Sequence, residues 1–123
     1  MSMNKQEVFD KIVNHMLTQN AKAQDVKGIC MYRGEEGRMC AVGCLITDEA
    51  YSPDIEKNAA DTEEVLQALR NSGIDIAPWS PSNTDTQFLY EIQQIHDYTN
   101  VDVWEKALVQ FAEKNSLLFN WRP

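Results

Sequence analysis

The sequence predicts a mainly helical α+β domain with about four principal helices, several short helical turns and one small β-hairpin near residues 29–39. Apolar residues recur at three- and four-residue steps in four separate segments, which is the period of an amphipathic helix. Strand-favouring residues beside a turn with two glycines predict the hairpin. The chain of 123 residues is predicted to form one domain, 1–123, because it is long enough to bury a core without disulfides or metal.

The first helix is predicted over about residues 5–19. Asn4 stands three residues before Glu7, a spacing typical of the capping box that starts a helix. The apolar positions that follow are Val8, Phe9, Ile12, Val13, Met16 and Leu17. Because these positions share one face of a helix, they predict a stripe that packs on the core.

The predicted hairpin follows a polar loop at residues 20–27. Residues 29–33 favour a strand, residues 34–37 supply the two glycines of the reversal, and the return strand is predicted at 38–39.

The segment 39–46 that comes next is wholly apolar. Periodicity alone does not separate a buried strand from a buried helix in so short a run. Its small residues allow close packing on another backbone, which favours a short buried helix.

Short helical turns are predicted over 48–58, where two helix-start patterns follow each other. A longer helix is predicted to begin at Asp61 or Thr62 and to end before Gly73, since glycine is common just past a helix end.

The last third of the chain is predicted to contain a loop, two helices and a packed tail. The loop covers 74–83, because two prolines flank Trp79. A helix over about 84–99 and another opening at Asp102 are expected to form an antiparallel pair. The tail at 117–121 is so apolar that we expect it to pack on the domain or at an oligomer contact.

Charge is unevenly distributed along the chain, whose formal net charge is −8. Residues 1–46 carry six Lys and Arg against five Asp and Glu, and residues 47–123 carry five against fourteen. This balance argues against a binder of the nucleic-acid backbone, because affinity for phosphates there comes largely from Lys and Arg. The acidic surface is typical of a soluble helical face, and it could also contact a basic partner protein.

The predicted compartment is the cytosol. The N-terminus lacks a signal-peptide pattern, and no apolar run approaches the roughly 20 residues that span a bilayer, so no membrane contact is expected. Three cysteines are an odd number, which fits a compartment where thiols stay reduced.

The cysteines suggest a metal site only weakly. Cys30, Cys40 and Cys44, with His96 as a fourth ligand, could bind zinc, but their spacing lacks the tight Cys-x2-Cys knuckles of structural sites. Buried core thiols are the commoner arrangement, and a redox pair of Cys30 and Cys40 across the hairpin is a third alternative. A cysteine nucleophile would need a His base, and no nucleophile or oxyanion-loop pattern accompanies either histidine. We therefore predict a non-catalytic protein with no cofactor.

The glycine turn is the predicted ligand site. Gly34 and Gly37 lie between Arg33 and Arg38, an arrangement in which backbone amides and two guanidinium groups could hold a phosphate or carboxylate. Glu35 and Glu36 at the tip of the turn would repel an anion from that side.

Two further considerations apply to this site. Tyr32 and Trp79 could stack a base or ribose if they flank the same cleft. The alternative is a solvated turn whose arginines pair with Asp48, Glu49 or Asp54, as surface charges commonly do.

The segment from 30 to 51 reads Cys30-x-Tyr32-Arg33-Gly34-x-x-Gly37-x-x-Cys40-Ala41-Val42-Gly43-Cys44-Leu45-Ile46-x-Asp48-Glu49-x-Tyr51. It resembles the core of a family of small proteins of phages and prophage-bearing bacteria for which no activity is established. Similar members also share the start of the first helix, an Ile-His-Asp that is here Ile95-His96-Asp97, and Trp104 in the last helix. Thr47 stands where many of them have proline.

The resemblance implies a binding role, since small phage proteins often act by binding. We predict a non-catalytic phage-type protein that interferes with host processes, such as defence, by sequestering a small anionic ligand like a nucleotide signal. The alternatives are an inhibitor that binds a host protein through its acidic helical face, and a zinc or thiol structural protein. Self-association stays open, because two copies would enlarge a shallow site.

Overall fold

The computed structural model describes residues 4–76 and 84–121. Its α-helices are α1 (Lys5–Gln19), α2 (Glu63–Asn71), α3 (Thr84–Tyr98) and α4 (Trp104–Lys114). Short 3-10 helices occupy Glu35–Gly37, Gly43–Leu45, Pro53–Lys57 and Val101–Val103. The four helices predicted from hydrophobic periodicity are thus confirmed, and so are helical turns within 48–58.

The fold is all-α, and the predicted α+β class with a hairpin near 29–39 is wrong. Over the two described ranges the structure contains no strand, only two isolated antiparallel bridges, Gln24↔Cys30 and Arg33↔Met39. The amide of Met31 donates to the carbonyl of Ala23, 2.9 Å away, instead of pairing across the glycine turn. The next two amides in the chain donate to a glutamate side chain, as described below, so pairing across the turn does not extend beyond the single Arg33↔Met39 bridge.

The apolar segment after the turn adopts the helical alternative. It forms tight turns and the 3-10 helix Gly43–Leu45, and most of its side chains are buried. A Cβ atom on Gly43 would overlap the carbonyl oxygen of Tyr32. Only glycine allows this backbone approach, which fixes the buried segment against the loop that carries Tyr32.

Three phenylalanine rings join the helices at the centre of the core. Phe111 stacks on Phe9 with ring centroids 5.9 Å apart and packs on Phe88 at 5.2 Å. Phe88 lies near the start of α3 and Phe111 near the end of α4, while His96 near the end of α3 packs on Trp104 at the start of α4. The predicted antiparallel pairing of these helices is therefore confirmed.

The apolar tail packs on the domain, as predicted. Leu117, Phe119 and Trp121 are partly buried against the core. The side-chain amide of Gln6 on α1 donates to the carbonyl of Leu118 and accepts from its N–H, both at 2.9 Å.

None of the helices in the described ranges has both the length and the apolar character needed to cross a bilayer.

Candidate functional site

One carboxylate fixes the loop that holds the first predicted site residues. Glu56, in the 3-10 helix Pro53–Lys57, accepts the N–H of Tyr32 at 2.7 Å and the N–H of Arg33 at 3.0 Å. It also accepts the hydroxyl of Tyr51 at 2.6 Å. These side-chain bonds take the place of strand pairing, because buried backbone donors require a partner.

Arg33 is committed to contacts within the protein. Its guanidinium lies over the ring of Tyr51, with Cζ 4.8 Å from the ring centroid. Nη1 donates to Asp48 at 2.6 Å and Nη2 donates to the carbonyl of Ile46 at 2.7 Å. The Arg33–Asp48 ion pair that the sequence left as an alternative is therefore present, and both terminal nitrogens of Arg33 have partners within the protein.

Tyr32 is buried, and its hydroxyl donates to the carbonyl of Asn58 at 2.6 Å. Burial raises the pKa of this phenol well above its ordinary value, so the hydroxyl stays protonated. Trp79, its predicted stacking partner, lies outside the described residues.

The glycine turn uses its first amides internally. The N–H of Gly34 donates to the carbonyl of Arg38 and the N–H of Glu35 to the carbonyl of Gln24, both at 2.8 Å. A Cβ atom on Gly34 would overlap the backbone nitrogen of Gln24. Gly34 therefore allows two loop segments to touch and does not present its amide to a ligand.

Gly37 and Arg38 line a surface groove of about 540 Å³ together with Lys11 and His15 of α1. We call these four residues and the space between them the basic groove. Arg38 pairs with Glu36 at 3.1 Å, and 41% of its side chain remains exposed.

Two side chains of α1 bind the backbone of Met39, just after the turn, and hold it against the helix. The side-chain amide of Gln19 donates to the carbonyl of Met39 at 2.9 Å and accepts its N–H at 3.0 Å. His15 Nε2 lies 2.6 Å from the same carbonyl and donates to it. The basic groove is thus formed by residues that tertiary contacts hold in place.

A second, more enclosed cavity of about 360 Å³ lies between α3 and the loop around Tyr32. We call it the α3 cavity. Its polar lining includes Glu56 from the facing 3-10 helix and Tyr90, Gln94 and Asp97 from α3.

Only two of the four weak metal candidates come together. Cys30 and His96 approach Asp97, with one ligand atom from each residue within 4.8 Å of the others. In the part of the chain that the structure describes, neither Cys40 nor Cys44 joins such a cluster.

The hydrogen bonds of His96 oppose metal binding. Nε2 accepts the N–H of Ala23 at 3.1 Å, which places the ring proton on Nδ1. Nδ1 donates that proton to Asp97 at 2.7 Å. A metal at Nδ1 would have to displace this proton while Nε2 still faces an N–H donor, and a neutral ring cannot satisfy both demands.

The three thiols are also in environments that keep them protonated. Burial raises the pKa of Cys40 well above its ordinary value and that of Cys44 to about 12. Burial raises the pKa of Cys30, and the charge of Asp97 raises it further. Since the thiolate is the metal ligand and the nucleophile, these cysteines are poorly placed for either role. Cys40 is a buried core thiol, as the sequence favoured.

The structure thus divides the predicted site residues between two places. Tyr32 lines the α3 cavity, Gly37 and Arg38 line the basic groove, and Arg33 lines neither.

Sequence reasoning missed the residues that complete these two sites. Lys11 and His15 are four residues apart on the polar face of α1, and this spacing predicts that their side chains are neighbours. Asp97 follows His96 directly and stands four residues after Gln93, a spacing at which helical side chains meet.

Comparison of the chain with protein-family models, with curated proteins and with solved structures finds no match in any of the three. The resemblance to phage and prophage proteins therefore remains a prediction from the sequence.

Proposed function

We propose that the protein is a non-catalytic binding protein that sequesters a small anionic ligand in the basic groove. The observation that carries this proposal is the position of Arg38 and Gly37 beside Lys11 and His15. A groove with this many basic side chains stands out in a chain of net charge −8.

The charges of the groove favour an anion. Lys11 and Arg38 each contribute a positive charge, and the acid among the lining residues is Glu36. A guanidinium binds phosphate or carboxylate oxygens through two donors, and an ammonium adds a point charge without directional demands.

The ion pair of Arg38 with Glu36 does not prevent binding. Both side chains are substantially exposed, and exposed pairs contribute only about 0–1 kcal/mol. Arg38 can therefore turn to a phosphate at small cost.

The phosphate is the part of a nucleotide that this groove would recognise. Apart from the imidazole of His15, its lining contains no aromatic side chain among the described residues on which a base could stack. We therefore place the binding energy in charge-assisted hydrogen bonds to the phosphate, with the nucleoside on the open side.

Calorimetric titration with inorganic phosphate, adenine and guanine mononucleotides and cyclic dinucleotides tests the proposal directly. The double variant Lys11→Ala, Arg38→Ala should lose at least about tenfold in affinity, because each charge-assisted bond contributes about 1.5–3 kcal/mol. The matched control Lys27→Ala, Lys106→Ala removes the same two charges from exposed positions elsewhere and should bind like the wild type.

Two outcomes would contradict the proposal. One is the absence of binding for every anion in the panel. The other is an equal loss in the groove variant and the control, because overall charge would then explain the effect.

The biological role we propose is interference with host processes, including defence, from within the host cytosol. Its support is the resemblance to phage proteins, which is an association and not a physical argument. Sequestration is stoichiometric, so the protein must reach a concentration comparable to that of its ligand. Measuring both in producing cells tests this requirement.

A second candidate is a basic partner protein, favoured by a groove of about 460 Å³ along α2. The apolar residues of its lining are Ala50, Ile55 and Ala68, and the acidic ones are Asp54, Glu63 and Glu64. This pattern suits a Lys- or Arg-rich segment with a small apolar anchor. A labelled peptide of that composition should bind less tightly as salt rises and should lose affinity with Asp54→Lys, Glu64→Lys. Binding that neither salt nor charge reversal weakens would rule this candidate out.

A further inference from the structure

The α3 cavity has the chemistry of a cation site. We propose that it binds a small organic cation with a primary ammonium or guanidinium group, held by the carboxylate of Asp97 and the tyrosines of α3. This site is separate from the basic groove, so it goes beyond the function proposed above and is tested independently of it.

Asp97 is fixed in position with one oxygen available. Its Oδ1 accepts the amide of Gln93 at 2.9 Å and Nδ1–H of His96 at 2.7 Å. Its Oδ2 accepts no N–H or hydroxyl donor within residues 4–76 and 84–121, the thiol of Cys30 lies within 4.8 Å of the carboxylate, and 21% of the side chain is exposed. A carboxylate oxygen that is held in place with only a weak thiol donor beside it can accept from an ammonium or guanidinium.

The support behind Asp97 is rigid. His96 is wholly buried, its Nε2 accepts the N–H of Ala23, and its ring packs on Trp104 with centroids 5.3 Å apart. Little conformational freedom would be lost when a cation binds, because the acceptor is already oriented.

The opposite wall adds a second negative charge. The carboxylate of Glu56 accepts two backbone amides and the hydroxyl of Tyr51, none of which is charged. Burial raises the pKa of the Tyr32 hydroxyl, which lines the same cavity, and the neighbouring acidic groups of Cys40, Asp97 and Glu56 raise it further.

Two lysines lie near the two carboxylates. Lys57 is exposed and lines the cavity, so the lining carries one positive charge against two negative ones. The ammonium of Lys22 donates to the main-chain carbonyl of Asp97 at 3.1 Å, and Lys22 is not part of the cavity lining.

Three further polar side chains of α3 complete the site. Tyr90, Gln94 and Tyr98 line the cavity, and none of them makes a hydrogen bond to another described residue. Their oxygens can accept N–H groups of a ligand. The ring of Tyr98, which is 79% exposed, can cover a cation at the mouth of the cavity.

Calorimetry with n-butylammonium, n-butylguanidinium and the neutral isostere n-butylurea tests the proposal. Both cations should bind and the urea should bind at least about tenfold more weakly, since it lacks the charge that Asp97 recognises. Asp97→Asn should weaken the cations by about tenfold or more, because the amide oxygen can still accept from His96 while the charge is gone.

Two variants separate charge recognition from loss of folding. Tyr98→Ala changes an exposed ring and should lower cation affinity by about two- to fivefold through the lost cation–π contact alone. Glu113→Gln removes one negative charge from an exposed position at the end of α4 and should leave binding unchanged.

Any of three results would overturn the proposal. These are no heat of binding for either cation, equal affinity for the neutral urea, and unchanged affinity in Asp97→Asn. If Asp97→Asn lowers the melting temperature strongly, unchanged cation affinity in Tyr98→Ala decides against the site.

Discussion

Replacing Glu56 with alanine removes the acceptor on which the loop of residues 30–34 depends. Three donors lose their partner at once: the amides of Tyr32 and Arg33 and the hydroxyl of Tyr51, at 2.7, 3.0 and 2.6 Å. The ring of Tyr51 also supports the guanidinium of Arg33. One substitution therefore disturbs both the backbone of the loop and its side-chain anchor.

The expected loss in the free energy of unfolding follows from these three bonds. A hydrogen bond to a charged group contributes about 1.5 kcal/mol at the lower end of its range, which gives about 4.5 kcal/mol for three. Glu56 is half-buried, so water can replace part of what is lost. We therefore expect Glu56→Ala to lower the free energy of unfolding by about 2–4 kcal/mol, a large share of the 5–15 kcal/mol typical of a domain.

Glu56→Gln provides an intermediate case. The glutamine oxygen can accept from one side of the site, but its NH₂ group faces donors and cannot accept. We expect a loss of about 1–2 kcal/mol, from one or two missing bonds.

Urea denaturation followed by circular dichroism measures both effects. Glu113→Ala removes an exposed carboxylate from α4 and should stay within about 0.5 kcal/mol of the wild type. If Glu56→Ala is no more destabilising than this control, the carboxylate does not hold the loop and the account of the missing hairpin fails with it.

Three further predictions concern packing, pH and a helix cap. Gly43→Ala should lower the free energy of unfolding, measured by urea denaturation, by about 1–3 kcal/mol or more, because its methyl group would meet the carbonyl of Tyr32. Gly73→Ala has open space around the new methyl group and should lower it by only about 1 kcal/mol, because of the positive φ at this position. The free energy of unfolding should fall as pH rises above about 9, because the thiols of the unfolded chain ionise there while burial keeps the pKa of Cys44 in the folded protein at about 12. A Cys44→Ala variant whose free energy of unfolding falls just as steeply over that range would contradict this. Asn4→Ala removes the 3.1 Å bond from the amide of Glu7 and should cost about 1 kcal/mol, and an unchanged urea midpoint would show that the cap contributes nothing.

The helices could be predicted because their signals are local. The apolar stripe and the Asn4 cap of α1 lie within the helix that they specify, and the predicted range 5–19 matches Lys5–Gln19. Gly73 ends the segment after α2 with a positive φ of 91°, as a glycine beyond a helix end is expected to do.

The sequence alone could not exclude the hairpin, because the side chain that competes with strand pairing, that of Glu56, lies far along the chain. Residues 29–33 favour a strand, and the glycine turn is suited to a reversal. What overrides them is a carboxylate at position 56 that supplies two acceptors to consecutive amides. The amides of a strand point alternately to its two sides. A side chain that accepts the amides of both Tyr32 and Arg33 therefore limits the pairing to the single Arg33↔Met39 bridge.

The two arginines of the turn show why the site was only half predictable. In sequence, Arg33 and Arg38 flank the glycines symmetrically, and nothing local separates their roles. In the fold, Arg33 reaches Asp48 and the ring of Tyr51, whereas Arg38 turns toward α1. A guanidinium held by three internal contacts must give these up to bind a ligand, while one in a single exposed ion pair can exchange its partner at little cost. The availability of each arginine is therefore decided by residues that the chain brings from elsewhere, and Arg38 is the one that remains available to bind an anion.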